Sequence, residues 1–136
     1  MTIDFFKPIT KSAVVSAIRR LFARSLKVKY VRERQISKTH RGPRGGKMYE
    51  CETCGNAFGA RETQVDHMDE VIELSKTTND YTLDELLDRI DCNVNNLQLL
   101  CKDCHKKKTK AENEIRKQFK KAHKKYLKRK EKENEI

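Results

Sequence analysis

The chain has no tryptophan, and apolar residues fill only 36% of its 136 positions. That length is one domain's worth, and so lean an apolar complement supports a small core and excludes two independent ones. No run of 18 apolar residues exists, which excludes a membrane-spanning helix of ordinary length. Residues 1–6, Met-Thr-Ile-Asp-Phe-Phe, lack the basic-then-apolar layout of an export leader, so the expected location is the cytoplasm and not the secretory route. For an unexported chain, structural disulfides are disfavoured, and paired cysteines point to metal or redox chemistry.

Acidic residues are scarce at both ends. Residues 1–50 carry 13 lysines and arginines against 3 acids, residues 51–101 carry 3 against 11, and residues 102–136 carry 15 against 6. Two basic arms therefore flank an acidic centre, within a net charge of +11. Such arms suit a polyanion, while the centre suits a cation. Lysine-rich ends that merely keep a small protein in solution are the plainer alternative.

Local patterning divides the chain into a basic helix and arm over 1–47, a cysteine-bounded core over 48–110 and a basic helix over 111–136. Residues 11–24 place Val14, Ile18, Leu21 and Phe22 at helical spacing behind Thr10 or Ser12 as cap, with Arg19, Arg20 and Arg24 on the opposite face. Residues 26–36 alternate Leu26, Val28 and Tyr30 with basic residues, which suits a short strand or an extended arm. Residues 39–47, rich in Gly with one Pro, read as a loop whose Arg41, Arg44 and Lys47 would contact phosphates. Met48–Glu50 and Thr63–His67 read as short strands, the latter with Val65 inward. Thr82 and Glu85 have capping-box spacing, with Tyr81 as staple, ahead of a helix presenting Leu83, Leu86, Leu87 and Ile90 on one face. A turn at 93–96 and a strand at 97–100 lead into a long helix from Lys102, striped by Ala111, Ile115, Phe119, Ala122 and Tyr126 and fraying over its last seven residues.

Cys51, Cys54, Cys101 and Cys104 form two Cys-x-x-Cys pairs. Each pair chelates from a single turn, and four soft thiolates suit tetrahedral zinc. The long intervening segment raises the closure cost only logarithmically, against a return on the order of 10 kcal/mol from structural zinc. Redox-active pairs are the alternative. Cys92 falls outside both pairs and reads as a small buried apolar residue. Asp66, His67 and His105 make a second group. His105 directly follows Cys104, so metal binding would set its direction, and a carboxylate with an imidazole leaves room for water and a substrate oxygen on a divalent ion. Asp66 and His67 are adjacent on a strand and face opposite sides, so one can hold metal while the other activates water. Asp69, Glu70 and Glu73 lie near enough to add charge or to remain solvated. His40 reads as a loop residue and His123 as an exposed helical one.

Taken together, Cys51-x-x-Cys54, Val65-Asp66-His67 and the run from Asn96-Leu97-Gln98 through Leu100-Cys101-x-x-Cys104-His105-x-x-Lys108-Thr109 resemble the zinc-knuckle HNH endonucleases, small phage-encoded ones especially. The likeness covers residues 48–110. Arg19 to Ser25 also resembles a basic segment that precedes the knuckle in some of these proteins. It implies an α+β fold built on a ββα-metal finger stapled by four-Cys zinc, with an N-terminal helix and a long basic C-terminal helix. His67 would be the general base, and Asp66 and His105 the ligands of a catalytic divalent metal, Mg2+ or Mn2+. Asn96, or alternatively Asn95, would brace the hairpin. The implied reaction is hydrolysis of duplex DNA to 5′-phosphate and 3′-hydroxyl ends, with phosphate contacts from Arg19, Arg20, Arg24, Arg41, Arg44, Lys47, Lys106 and Lys108. A phage DNA-packaging protein is a plausible partner by the same resemblance. Against the minimal finger, the 28 residues between His67 and Asn96 are long, and they hold the helix after Thr82 as an insert. A noncatalytic zinc-stapled nucleic-acid binder and an RNA-cleaving nuclease are the competing readings.

Overall fold

A computed structural model describes residues 7–135. The leader-type layout sought at residues 1–6, and Ile136 of the expected frayed end, lie outside the described residues. The first helix, α1 (Lys11–Ala23), forms where the apolar spacing predicts it, and Thr10 is its cap, accepting from the Ala13 amide at 3.1 Å. The next element corrects the sequence expectation. Residues 26–36 are not extended: α2 (Leu26–Arg34) is helical, with the Ser25 hydroxyl accepting from the Val28 amide. The apparent alternation misled because Leu26 and Tyr30 are exposed, while Val28 and Val31, one turn apart, are the buried pair. Lysine, arginine and glutamate fill the outer face and are good helix formers.

A three-stranded antiparallel sheet follows, β1 (Ile36–Arg41), β2 (Lys47–Glu50) and β3 (Ala57–Phe58), in that order. The expected loop over 39–47 is therefore shorter than the composition suggests. Thr39 to Arg41 lie on β1, and only the turn from Gly42 to Gly46 is loop, closed by the Gly42 amide on the Gly46 carbonyl at 2.9 Å. Gly45 takes φ +74°, which a residue with a Cβ rarely adopts. Buried Ser37 explains the irregular pairing of β1, since its hydroxyl accepts from the Thr39 and His40 amides and diverts them from the ladder.

The second sheet holds only β4 (Thr63–His67) and β5 (Leu97–Cys101), antiparallel, with Thr63 opposite Cys101 and His67 opposite Leu97. From β5 the chain passes directly into α4 (Lys102–Asn134). Between the strands stands α3 (Leu83–Ile90), capped by the Thr82 hydroxyl accepting from the Glu85 amide at 3.2 Å. Of its four expected core residues, Leu86 and Ile90 are fully buried, but Leu83 and Leu87 are exposed, so the inward face is half as wide as expected.

Three apolar clusters hold these pieces. Val15, Val71, Tyr81, Leu86 and Ile90 join α1 to α3; Val31, Leu97 and Leu99 join α2 to β5, with Cys92 packed against them; Cys51, Leu100 and Cys101 form the third. Phe22 borders the first two, so residues before and after position 47 share one core. Leu86→Ala should cost about 2–5 kcal/mol, the range for truncating a buried leucine, measured by urea unfolding of the metal-loaded protein. The stripe on α4 is the other correction. Ile115, Phe119 and Tyr126 are 39%, 47% and 48% exposed, so it seats no core residue. The helix runs to Asn134.

Candidate functional site

The four paired cysteines converge. Their sulfurs all lie within 4.8 Å of one another, and all four are free thiols. Local backbone explains the convergence. At the first pair the Gly55 amide returns to the Cys51 carbonyl and the Cys51 amide to the Asn56 carbonyl, each at 2.9 Å, and Gly55 takes φ +74°. At the second pair Cys101 caps α4, its sulfur accepting from the Cys104 amide at 3.4 Å. Four thiolates bound at about 2.3 Å around a tetrahedral zinc stand about 3.8 Å apart; Cys54 and Cys101 sulfurs are separated by 4.0 Å. The donor set fits a soft tetrahedral ion. Ionisation of the sulfurs is unequal. Burial would raise Cys51, but the amides of Cys54, Cys101 and Thr53 outweigh it and hold its thiol at about 6. Cys104 is pushed up to about 12, first by its bond to the Cys101 sulfur, then by burial and the other thiols. Four adjacent negative sulfurs need a cation between them.

One turn further along α4 lies the second group. Asp66 and His67 end β4 and diverge as neighbours on a strand should. The Asp66 carboxylate turns to α4, where its Oδ1 stands 3.7 Å from His105 Nε2 and its Oδ2 accepts from Lys108 Nζ at 2.7 Å and from Gln98 Nε2 at 3.3 Å. At 3.7 Å the Oδ1–Nε2 pair is too far apart for a hydrogen bond. Two ligands at about 2.1 Å from one ion stand roughly 3–3.5 Å apart, so a small shift would let both meet a cation. The His67 ring turns the other way. Its Nε2 is 2.7 Å from the Ile90 carbonyl, and the Phe22 ring lies 5.2 Å away, centroid to centroid. A carbonyl only accepts, so Nε2 carries a proton, which leaves Nδ1 as the acceptor of the neutral ring.

Despite that divergence Asp66, His67 and His105 line one cavity of about 340 Å3, walled also by Arg19, Phe22 and Arg32. Arg19, Asp66 and His67 also border a second, smaller cavity, with Glu70, Lys108 and Glu112. Asn96 clasps the turn after His67: its Oδ1 accepts from the Asp69 amide at 2.9 Å and its backbone carbonyl from the Met68 amide at 2.8 Å. Along α4 a shallow groove carries Lys102, Lys106, Lys110 and Lys117 away from His105. Arg20, Arg24, Arg41, Arg44 and Lys47 are exposed elsewhere, on α1, its end and the β1–β2 hairpin, and line neither cavity. Glu73 pairs with Lys76 at 3.3 Å, away from Asp66.

Lys108 sits differently from the phosphate-contacting role expected of it. Its ammonium is inside the site, on Asp66, on the His67 carbonyl at 2.8 Å, and 2.9 Å from Glu112 Oε1. Burial would lower its pKa, but the Asp66 and Glu112 carboxylates outweigh that and hold it above the ordinary lysine value. Gln98 belongs to the motif but carries no expected role there, and Glu112 lies outside the motif. The i, i+4 spacing of Lys108 and Glu112 is the signal that could have found the latter.

Comparison with known proteins places a family on this same segment. Residues 51–111 match the family model described as HNH endonuclease. Over 60 residues the chain is 48% identical to a "Probable HNH endonuclease" of Lactococcus phage SK1, covering 43% of this chain and 52% of that relative. The chain thus spans about half the length of the curated relative it matches. No solved structure matches it. Among the described residues, no helix is long and apolar enough to cross a membrane.

Proposed function

From the match of residues 51–111 to the HNH endonuclease family model, we propose that the protein is a metal-dependent endonuclease of that kind acting on duplex DNA. The observation that carries this reading is the shared cavity: His67, Asp66 and His105 border one space, at the start of the helix that the four-cysteine group caps. In this reading β4, β5 and α4 are the ββα finger, and zinc is the ion held by Cys51, Cys54, Cys101 and Cys104. Asp66 and His105 hold Mg2+ or Mn2+, which when bound neutralises charge on the scissile phosphate and on the leaving oxygen.

The chain's own groups do the rest. His67 Nδ1 takes the proton of a water attacking phosphorus, the bond to the 3′-oxygen breaks, and that oxygen leaves with a proton from solvent, giving 5′-phosphate and 3′-hydroxyl ends. The Ile90 carbonyl and the Phe22 ring keep His67 in the tautomer and orientation this step needs. Asn96 positions the turn that carries the base. Arg19 at the cavity rim and the lysines along α4 bind flanking phosphates without reading bases, so affinity should fall steeply with salt.

Incubation of supercoiled plasmid with the protein tests the reading. Mg2+ or Mn2+ should convert plasmid to nicked or linear forms, and EDTA should stop the conversion. Intact plasmid with every divalent ion tried, despite retarded migration on gels, would overturn it in favour of a zinc-stapled binder. Faster loss of an RNA duplex in direct competition would move the substrate to RNA.

A further inference from the structure

The two oxygens of Asp66 are used unequally, and this asymmetry reaches beyond the metal assignment on which it rests. Oδ2 is occupied by the Lys108 ammonium at 2.7 Å and the Gln98 amide at 3.3 Å. Oδ1 faces His105 Nε2 without a hydrogen bond to it, at 3.7 Å. The ammonium is itself fixed at three points, the others being the His67 carbonyl and Glu112. Glu112 Oε1 is buried and makes no hydrogen bond of regular geometry, although it lies within ion-pair distance of the ammonium.

We infer that Lys108 and Gln98 are positioning residues that hold Asp66 as a one-oxygen metal ligand, with Oδ1 presented beside His105. A carboxylate free to rotate presents either oxygen, or both, in many orientations. Two donors on one oxygen remove that freedom before the cation arrives. Groups that orient a ligand in this way commonly account for 10–100-fold in metal affinity. The price is a positive charge beside a cation site, and Glu112 offsets it, its Oε1 lying 2.9 Å from the ammonium. Lys108 also ties the orientation of the metal ligand to that of the base, because the same ammonium holds the carbonyl of His67. The opposite role is physically possible. An ammonium on Asp66 could compete with the divalent ion, and then its removal would tighten metal binding.

The experiment titrates Mn2+ into the zinc-loaded full chain and follows free Mn2+ by electron paramagnetic resonance. Asp66→Ala defines the binding class that belongs to this site. Lys108→Met should weaken that class by about 10–100-fold, and Lys108→Arg should recover most of the loss. Gln98→Met should weaken it by a smaller factor, and this variant keeps the proposal testable if Lys108→Met does not fold. Zinc content and melting temperature of the Gln98 and Arg variants should match wild type, which a purely structural role would not combine with weakened Mn2+ binding. Cleavage at saturating Mn2+ should be reduced far less than cleavage at limiting Mn2+. Unchanged or tighter Mn2+ binding by Lys108→Met overturns the inference. A wild-type chain without any Asp66-dependent Mn2+ binding would instead overturn the metal assignment beneath it.

Discussion

Cys101→Ser is expected to abolish the native fold. Cys101 is 3% exposed and serves three structures at once: the last residue of β5, the cap of α4, and one corner of the sulfur group. A serine can still cap a helix, so the capping loss alone would be small. The metal loss is of another order. Structural zinc returns about 10 kcal/mol or more in small domains, and domains of this size hold only about 5–15 kcal/mol in total. The third apolar cluster is built largely from two of the proposed ligands, Cys51 and Cys101, with Leu100, so little of it would hold together without the ion. Far-UV circular dichroism melts and zinc content per chain check this. A metal-free wild type melting at the holoprotein's temperature would show that the sulfur group does not staple the fold.

His67→Ala carries the second large effect. Cleavage should fall by about 10²–10⁴-fold, the usual contribution of a positioned general base, while plasmid binding stays within a factor of two or so, because no phosphate-contacting role falls to this ring. The ring's carbonyl bond and its contact with Phe22 make a modest stability loss unavoidable. Rates should therefore be compared well below the variant's melting temperature. Single-turnover cleavage of plasmid at saturating Mn2+ separates the chemical step from binding. Equal rates for the two proteins would remove His67 from the base position.

What could be read from the residues follows the range of the interactions involved. The cysteine pairs are legible because chelation within one turn leaves a fixed spacing, and the sulfur group forms as that spacing predicts. β4, β5 and the start of α4 are legible for a similar reason, since each is short and bounded by motif residues. Misreadings fall where burial depends on distant partners. Leu26 and Tyr30 look like core residues in an alternating run, yet Val28 and Val31 win because β5 lies on that side of α2. Ile115, Phe119 and Tyr126 make a well-spaced stripe, but among the described residues no element buries it. Lys108 stands out in the sequence only as a motif position, and the fold alone shows its ammonium bound between two carboxylates.

The unbroken run of α4 from Cys104 through His105, Lys108 and Glu112 has an evolutionary consequence. These groups are held in angular phase by one rod, and each helical residue added turns everything downstream by about 100°. Insertions or deletions between Cys104 and Glu112 would throw sulfur, imidazole and ammonium out of step and should be purged from lineages. Past Arg116, whose guanidinium still binds the Ile72 carbonyl at 2.8 Å, the side chains of the rod are exposed as far as residue 135. There its length is free to drift, and descendants can lengthen, shorten or retool the tip without disturbing the centre.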